Sequence, residues 1–337
     1  MIWIVVTALY ATALSVTPSG RFSHNSIIYD GEVWILGGAE KPFGGSSSCA
    51  NDIMGTIAKG LWKYNPKKDK WSYSDVEFPE RRGATLVKNN RHVYLHGGGT
   101  DSDISFRSTP TADLWQYRKG RWHDKGPAPP LYCHQSVVTP KGHLYSIGGL
   151  DESGLSNKMY KYDSKEWHEL KTPFKRGIMG HTATLTDEGI IYVIGGVFGP
   201  PTEEENYNAD VWSYNTVTDR WNLESGGLKI HGHSACKFSR SRAIGRAVFP
   251  EDDIVTVGGF FPTELQKNTN GVQHLGGTVQ NVYSWNTNRR TWRYRGTMTK
   301  PREFSSAVGF NRNKLFIFGG YHVGNFWDDA EVLQIQE

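Results

Sequence analysis

The chain is poor in the features that usually announce chemistry. It has three cysteines, Cys49, Cys133 and Cys236, and no C-x-x-C pair. A disulfide framework or a zinc knuckle is therefore not expected, and the default for each cysteine is a small buried hydrophobe, with room for a single bridge. No Asn-x-Ser/Thr sequon occurs. The 38 basic and 34 acidic residues leave a net charge of only +4, with no dense Lys/Arg run, so nucleic acid is not an implied partner. There is no Walker loop, no dinucleotide fingerprint and no HExxH. The longest apolar stretch, Ile2 to Leu14, is too short to span a membrane as a helix. It does follow the grammar of a secretory leader, with Ala11-Thr12-Ala13 as a small-x-small cleavage site, although no Lys or Arg precedes it.

What is abundant is glycine, at 38 residues, and aromatics, at 13%. They are ordered. A short apolar run ends in a glycine doublet six times: VWILGG at Gly37-Gly38, VYLHGGG at Gly97 to Gly99, LYSIGG at Gly148-Gly149, IYVIGG at Gly195-Gly196, IVTVGG at Gly258-Gly259 and LFIFGG at Gly319-Gly320. The first glycines are 60, 51, 47, 63 and 61 residues apart. Each of the first five doublets is followed by an aromatic strand, a polar turn and a tryptophan: LWKYNPKKDKW, LWQYRKGRW, MYKYDSKEW, VWSYNTVTDRW and VYSWNTNRRTW. The alternation and the Asn/Asp/Lys turns predict hairpins. Each doublet is also preceded by a strand introduced by Arg or His: RFSHNSIIY, RRGATLV, CHQSVV, GHTATL, GHSACKF and REFSSAVGF. The unit is therefore four strands.

This pattern resembles the kelch motif from about Arg21 to Glu337. The resemblance implies an all-β, six-bladed kelch β-propeller in which each blade is a four-stranded antiparallel sheet. It divides the chain into residues 1–20, a leader or closing strand, and the propeller at 21–337. The sixth unit ends at AEVLQIQE without a tryptophan strand. In kelch propellers the other terminus commonly supplies the missing strand, which places the donor around Tyr10 to Thr17. The same residues would thus either direct secretion or close the ring. Secretion is favoured over a cytoplasmic location, and the two readings coexist if cleavage falls near Ala13.

Function is less legible. The loops after the doublets vary most, from Leu150–Lys158 to Ala39–Gly60 and Phe260–Gln280. Long loops on a rigid scaffold are where binding usually resides. In the family these loops share a face with the connections between blades, which here carry Glu80, Arg81, Arg82, Lys175, Arg176, Lys229, His231, Lys300 and Arg302. Arg21, His24, His134, His181, His233 and Arg302 recur at the start of the innermost strands. They would either line the central channel as a polar ring for an anion or a metal, or serve the blade contacts at a fixed repeat position; recurrence with the repeat favours the second. The ligand-binding candidates are thus Arg21, His24, Arg82, His134, Arg176, His181, His233 and Arg302.

The sequence lacks the marks of several enzymes built on kelch propellers. No residue pattern places a cysteine in a Tyr-Cys copper centre, sialidase boxes are absent, and Glu203 to Glu205 do not extend into a Glu-x3-Asp-x3-His iron motif. The expectation is a monomeric interaction module without cofactor, binding a protein or peptide partner through the loop face. The alternative is a small cofactor-free isomerase or mutarotase with acid/base residues at the channel. An enzyme should show a polar pocket with perturbed His or carboxylates; a binding module should show an open face with exposed Phe43, Phe106, Phe260, Phe261 and Phe326.

Overall fold

The computed structural model describes residues 5–8, 17–43, 54–100, 109–201, 203–238, 253–262, 277–310, 314–323 and 325–334. Among them there is no α-helix, and hence no helix long and apolar enough to cross a membrane; one short 3-10 turn spans Glu204–Asn206. The strands form six four-stranded antiparallel sheets, besides short ribbons in the loops. The first sheet runs Asn25–Tyr29, Glu32–Leu36, Leu61–Asn65 and Lys70–Ser74, innermost to outermost. The others start from Thr85–Lys88, Gln135–Val138, Met179–Leu185, Ser234–Lys237 and Ser306–Phe310. These six inner strands touch in cyclic order, and Ser306–Phe310 lies against Asn25–Tyr29.

The second strand of each sheet explains why its sequence is apolar without alternation. In Val33-Trp34-Ile35-Leu36 all four side chains are buried, because both faces of the sheet are covered. Val33 and Ile35 pack with Phe316 and Phe318 of the sixth sheet. Trp34 and Leu36 pack with Ala84, Leu86 and Leu95 of the second. One strand thus feeds two cores, and each such aliphatic side chain contributes about 1.5–3 kcal/mol. The hairpin tryptophans also serve the neighbours. Trp71 stands 5.5 Å from Phe318 of the sixth sheet, and Trp221 donates from Nε1 to the carbonyl of Lys171 in the third. At the hairpin turns the Asn65 and Asn215 side chains accept backbone N–H bonds from the two and three residues beyond them.

The glycine doublets join the sheets. The second glycine donates its N–H to the carbonyl of the residue that opens the next unit: Gly38 to Arg81, Gly98 to Leu131, Gly149 to Ile178, Gly196 to Ile230, Gly259 to Arg302 and Gly320 to Arg21, all within 2.7–3.0 Å. The last bond returns to the first unit. Both glycines hold positive φ, and a Cβ on Gly195 would lie 2.3 Å from the Ile230 oxygen. Gly195→Ala is expected to cost more than about 2 kcal/mol, from left-handed strain and the lost junction bond together. Urea denaturation measures it; an unchanged midpoint would remove the junction role.

The sixth sheet consists of Ser306–Phe310, Lys314–Phe318, Ala330–Gln334 and Val5–Ala8. The strand paired with Ala330–Gln334 is therefore Val5–Ala8, in register from Val5 opposite Gln334 to Ala8 opposite Glu331. It lies earlier than the expected donor around Tyr10 to Thr17, of which Tyr10 to Val16 fall outside the described residues. The β-branched run Val5-Val6-Thr7 suits an extended strand better than the alanines that follow.

Cysteine also departs from its default reading. Cys133 is disulfide-bonded, whereas Cys236 is a free thiol whose pKa burial raises to about 12.

Candidate functional site

The post-doublet loops and the connections between sheets do share one face. A repeated bridge holds them together: Phe22 pairs with Ala39, Arg82 with Gly99, Tyr132 with Leu150, His231 with Phe260 and Glu303 with Tyr321. The residue before each of these connection residues opens its unit. At that first position stand Arg21, Arg81, Leu131, Ile178, Ile230 and Arg302.

The three arginines do one job. Arg21 donates to the Gly37 carbonyl and to Glu40, at 3.3 and 2.6 Å. Arg81 donates to the Gly97 carbonyl and to Asp113, at 2.9 and 2.6 Å. Arg302 donates to the Gly319 carbonyl and to Glu331, at 2.8 and 2.5 Å. All three are buried. Each satisfies the carbonyl of its own doublet's first glycine and carries a carboxylate partner with it, as a buried charge requires. The arginine equivalent to Arg21 and Arg302 is thus Arg81 and not Arg82. Arg82, one residue on, is half-buried beside the Tyr132 ring, 5.9 Å from its centroid.

The histidines repeat three residues after the first position. Nε2 of His24 pairs with the hydroxyl of Ser306 at 2.7 Å, that of His134 with Thr85 at 3.1 Å, and that of His233 with Thr182 at 2.9 Å. Every partner sits on the inner strand of the preceding sheet. His134 also meets His96, at 3.1 Å. Burial lowers the pKa of His24 and His233 to about 3 and that of His181 and His96 to about 4, and holds His134 well below its ordinary value. These imidazoles are neutral, and they stitch neighbouring sheets together. Together with Ser23, Gly83 and Phe304, His24, His134, His181 and His233 surround an opening of about 90 Å³ at the axis.

That opening is rimmed by backbone. Ser23, Gly83, Cys133, Gly180, Gly232 and Phe304 occupy the same place in their units, all at φ between 50° and 66°. The N–H groups of five point to the carbonyl of the unit before: Ser23 to Phe304, Gly83 to Ser23, Cys133 to Gly83, Phe304 to Gly232, while Gly232 reaches Gly180.

The face outside the rim departs from the repeat. Arg176 is exposed; it bonds the Phe198 carbonyl and Asn206 at 2.8 and 2.5 Å and lies over the Phe198 ring. Lys229 pairs with Glu204 at 2.5 Å and Lys300 with Asp329 at 2.8 Å. Lys300 also stands 4.4 Å from the Trp327 ring centroid. The acidic runs at Glu203 to Glu205 and Asp328-Asp329 are therefore engaged by lysines of the same face. Phe260, Phe261 and Phe326 are half-buried rather than exposed; the Phe43 side chain and Phe106 lie outside the described residues.

One cluster escaped sequence reasoning. Tyr207, His231 and Glu303 are all buried, and the Tyr207 and His231 rings are 5.5 Å apart. Burial, and then the charge of Glu303, raises the Tyr207 phenol's pKa. Burial lowers His231 to about 4. His231 and Glu303 occupy the connection position that holds Phe22, Arg82, Tyr132 and Met179 elsewhere, so residue class at that position gave little signal. Tyr207 lies in a variable loop and offered none.

A family model described as the Attractin/LZTR1 beta-propeller matches residues 42–329. Among curated proteins the chain is 25% identical to Alpha-scruin of Limulus polyphemus over 308 residues, 89% of this chain and 31% of that protein. It is 24% identical to N-acetylneuraminate epimerase 1 of Escherichia coli over 60% of this chain and 63% of that protein. The chain thus spans about a third of the length of the scruin it matches. A solved structure titled "Structure of YjhT" superposes with a TM-score of 0.68 and 16% identity, covering 95% of this chain and 98% of that one.

Proposed function

The chain belongs to the Attractin/LZTR1 β-propeller family, among the kelch-repeat propellers, and we propose that it is a monomeric six-bladed ring that binds a protein or peptide through its loop face. In this reading residues 21–337 are the propeller body and Val5–Ala8 closes the ring as the outer strand of the sixth blade. The return bond from Gly320 to Arg21 supports six blades. The disulfide at Cys133 suits an oxidising compartment.

The observation that carries the binding reading is how the cations are used. The recurring Arg and His are consumed inside the ring, whereas Arg82, Lys175, Arg176, Lys229 and Lys300 remain at the loop face. The ion pairs of Lys229 and Lys300 are part-exposed, and such pairs contribute only about 0–1 kcal/mol. A partner's carboxylates could replace Glu204 and Asp329 at little cost. The favoured partner is therefore acidic. Affinity capture with the wild type and an Arg82→Ala/Arg176→Ala/Lys300→Ala variant tests this: the partner should be lost from the variant and weakened by salt. A partner retained by the folded variant refutes it.

A second reading has one observation in its favour. Tyr207, His231 and Glu303 join a phenol, an imidazole and a carboxylate at a place that breaks the repeat. Such groups suit proton transfer in a cofactor-free isomerase, and one relative carries the name of an epimerase. Anomer exchange of N-acetylneuraminate, followed by NMR, separates the readings. Catalysis abolished by Glu303→Gln would favour the enzyme, and exchange at the buffer rate would dismiss it.

A further inference from the structure

The axis opens on the opposite face as well, and the two openings differ. Far from the loops, the ends of all six inner strands surround a cleft of about 500 Å³, within the size range of small-molecule sites. The part-exposed Ile28, Val87, Leu185 and Val308 contribute to its wall. Among the described residues, the charged ones lining it are Lys88, Lys237 and Asp187. Lys237 and Asp187 form a loose pair at 3.6 Å. Lys88 has no carboxylate within ion-pair distance among the described residues.

Lys88 is exposed and lines the mouth of the cleft. Desolvation lowers its pKa. An anion in this partly apolar mouth would meet the Lys88 ammonium at a lower dielectric than on an open surface, which strengthens the contact. The apolar wall adds a second requirement, since it rewards a hydrocarbon body. A bare inorganic ion would satisfy the charge and leave the wall wet.

We propose that this wide mouth binds a small amphiphilic organic acid, its anionic group on Lys88 and its apolar body along the valine and isoleucine wall. The site lies on the other face from the partner surface proposed above and does not depend on it.

Octanoate is the probe and octanamide its neutral counterpart, titrated calorimetrically into the whole chain. Octanoate should bind at least about tenfold more tightly than octanamide, the worth of one charge-assisted contact. Lys88→Gln should remove that preference, and Lys88→Arg should retain it. Circular dichroism melting of each variant establishes that it is folded. Equal affinities for acid and amide, no binding of octanoate, or an undiminished preference in folded Lys88→Gln would each overturn the assignment.

Discussion

Acidification is expected to unfold this protein steeply, with most of its stability lost between pH 6.5 and about pH 5. Among the described residues six histidines are buried and neutral: His24, His96, His134, His181, His231 and His233. Burial is the leading cause in every case, and it brings their pKa to about 3 or 4 wherever a value is resolved. In the unfolded chain each returns to about 6.5. The sign follows directly. Below pH 6.5 the unfolded chain takes up protons that the folded one refuses, so stability falls with pH and keeps falling until the folded values are reached. Above pH 6.5 both states are neutral and the contribution is flat. One histidine costs about 1.4 kcal/mol per pH unit in that window. Six together reach on the order of 8 kcal/mol near pH 5.5, comparable with the stability of a typical domain. Urea midpoints measured across pH 5–8 test this, and His181→Gln should flatten the slope by about one proton. A midpoint that stays level from pH 7 to pH 5.5 would mean that the imidazoles protonate within the fold.

The second large effect concerns the buried ion pair of the last unit. Arg302→Met should destabilise the fold by about 3–5 kcal/mol. Arg302 and Glu331 are both almost fully buried. The substitution strands the Glu331 carboxylate and deprives the Gly319 carbonyl of its donor. Asp329, the guanidinium's second acid at 3.3 Å, is part-exposed and can return to water. The double variant Arg302→Met/Glu331→Leu should recover most of the loss, because removing both charges also removes their desolvation. A double variant no more stable than Arg302→Met would show that the Gly319 carbonyl bond dominates. A single variant within about 1 kcal/mol of wild type would show that the pair is not structural.

The two effects share a cause. Side chains that looked like ligand groups are buried parts of the ring. The sequence already hinted at this for His24, His134, His181 and His233, since they follow the repeat. It could not resolve which member of Arg81-Arg82 follows it. Adjacent arginines look alike in sequence, and only the bond to Gly97 separates them. Nor could it find Glu303 near Tyr207, which lie almost a hundred residues apart, in the sixth and fourth units, and come close only once the units are arranged about the axis. The strand that pairs with Ala330–Gln334 was not legible for a similar reason: many short apolar stretches can pair, and the register is a property of the sheet.

By itself the sequence determined the unit. Apolar strand, glycine doublet and aromatic hairpin are local patterns, written by positive φ, turn chemistry and side-chain alternation within a few dozen residues. The tertiary structure decided what each polar residue is for. Whether an arginine meets solvent or Glu331, and whether an imidazole titrates, depends on the sheet packed against it, and that neighbour comes from another part of the chain. Charge and burial are settled between units, so the sites could be read only once the sheets were in place.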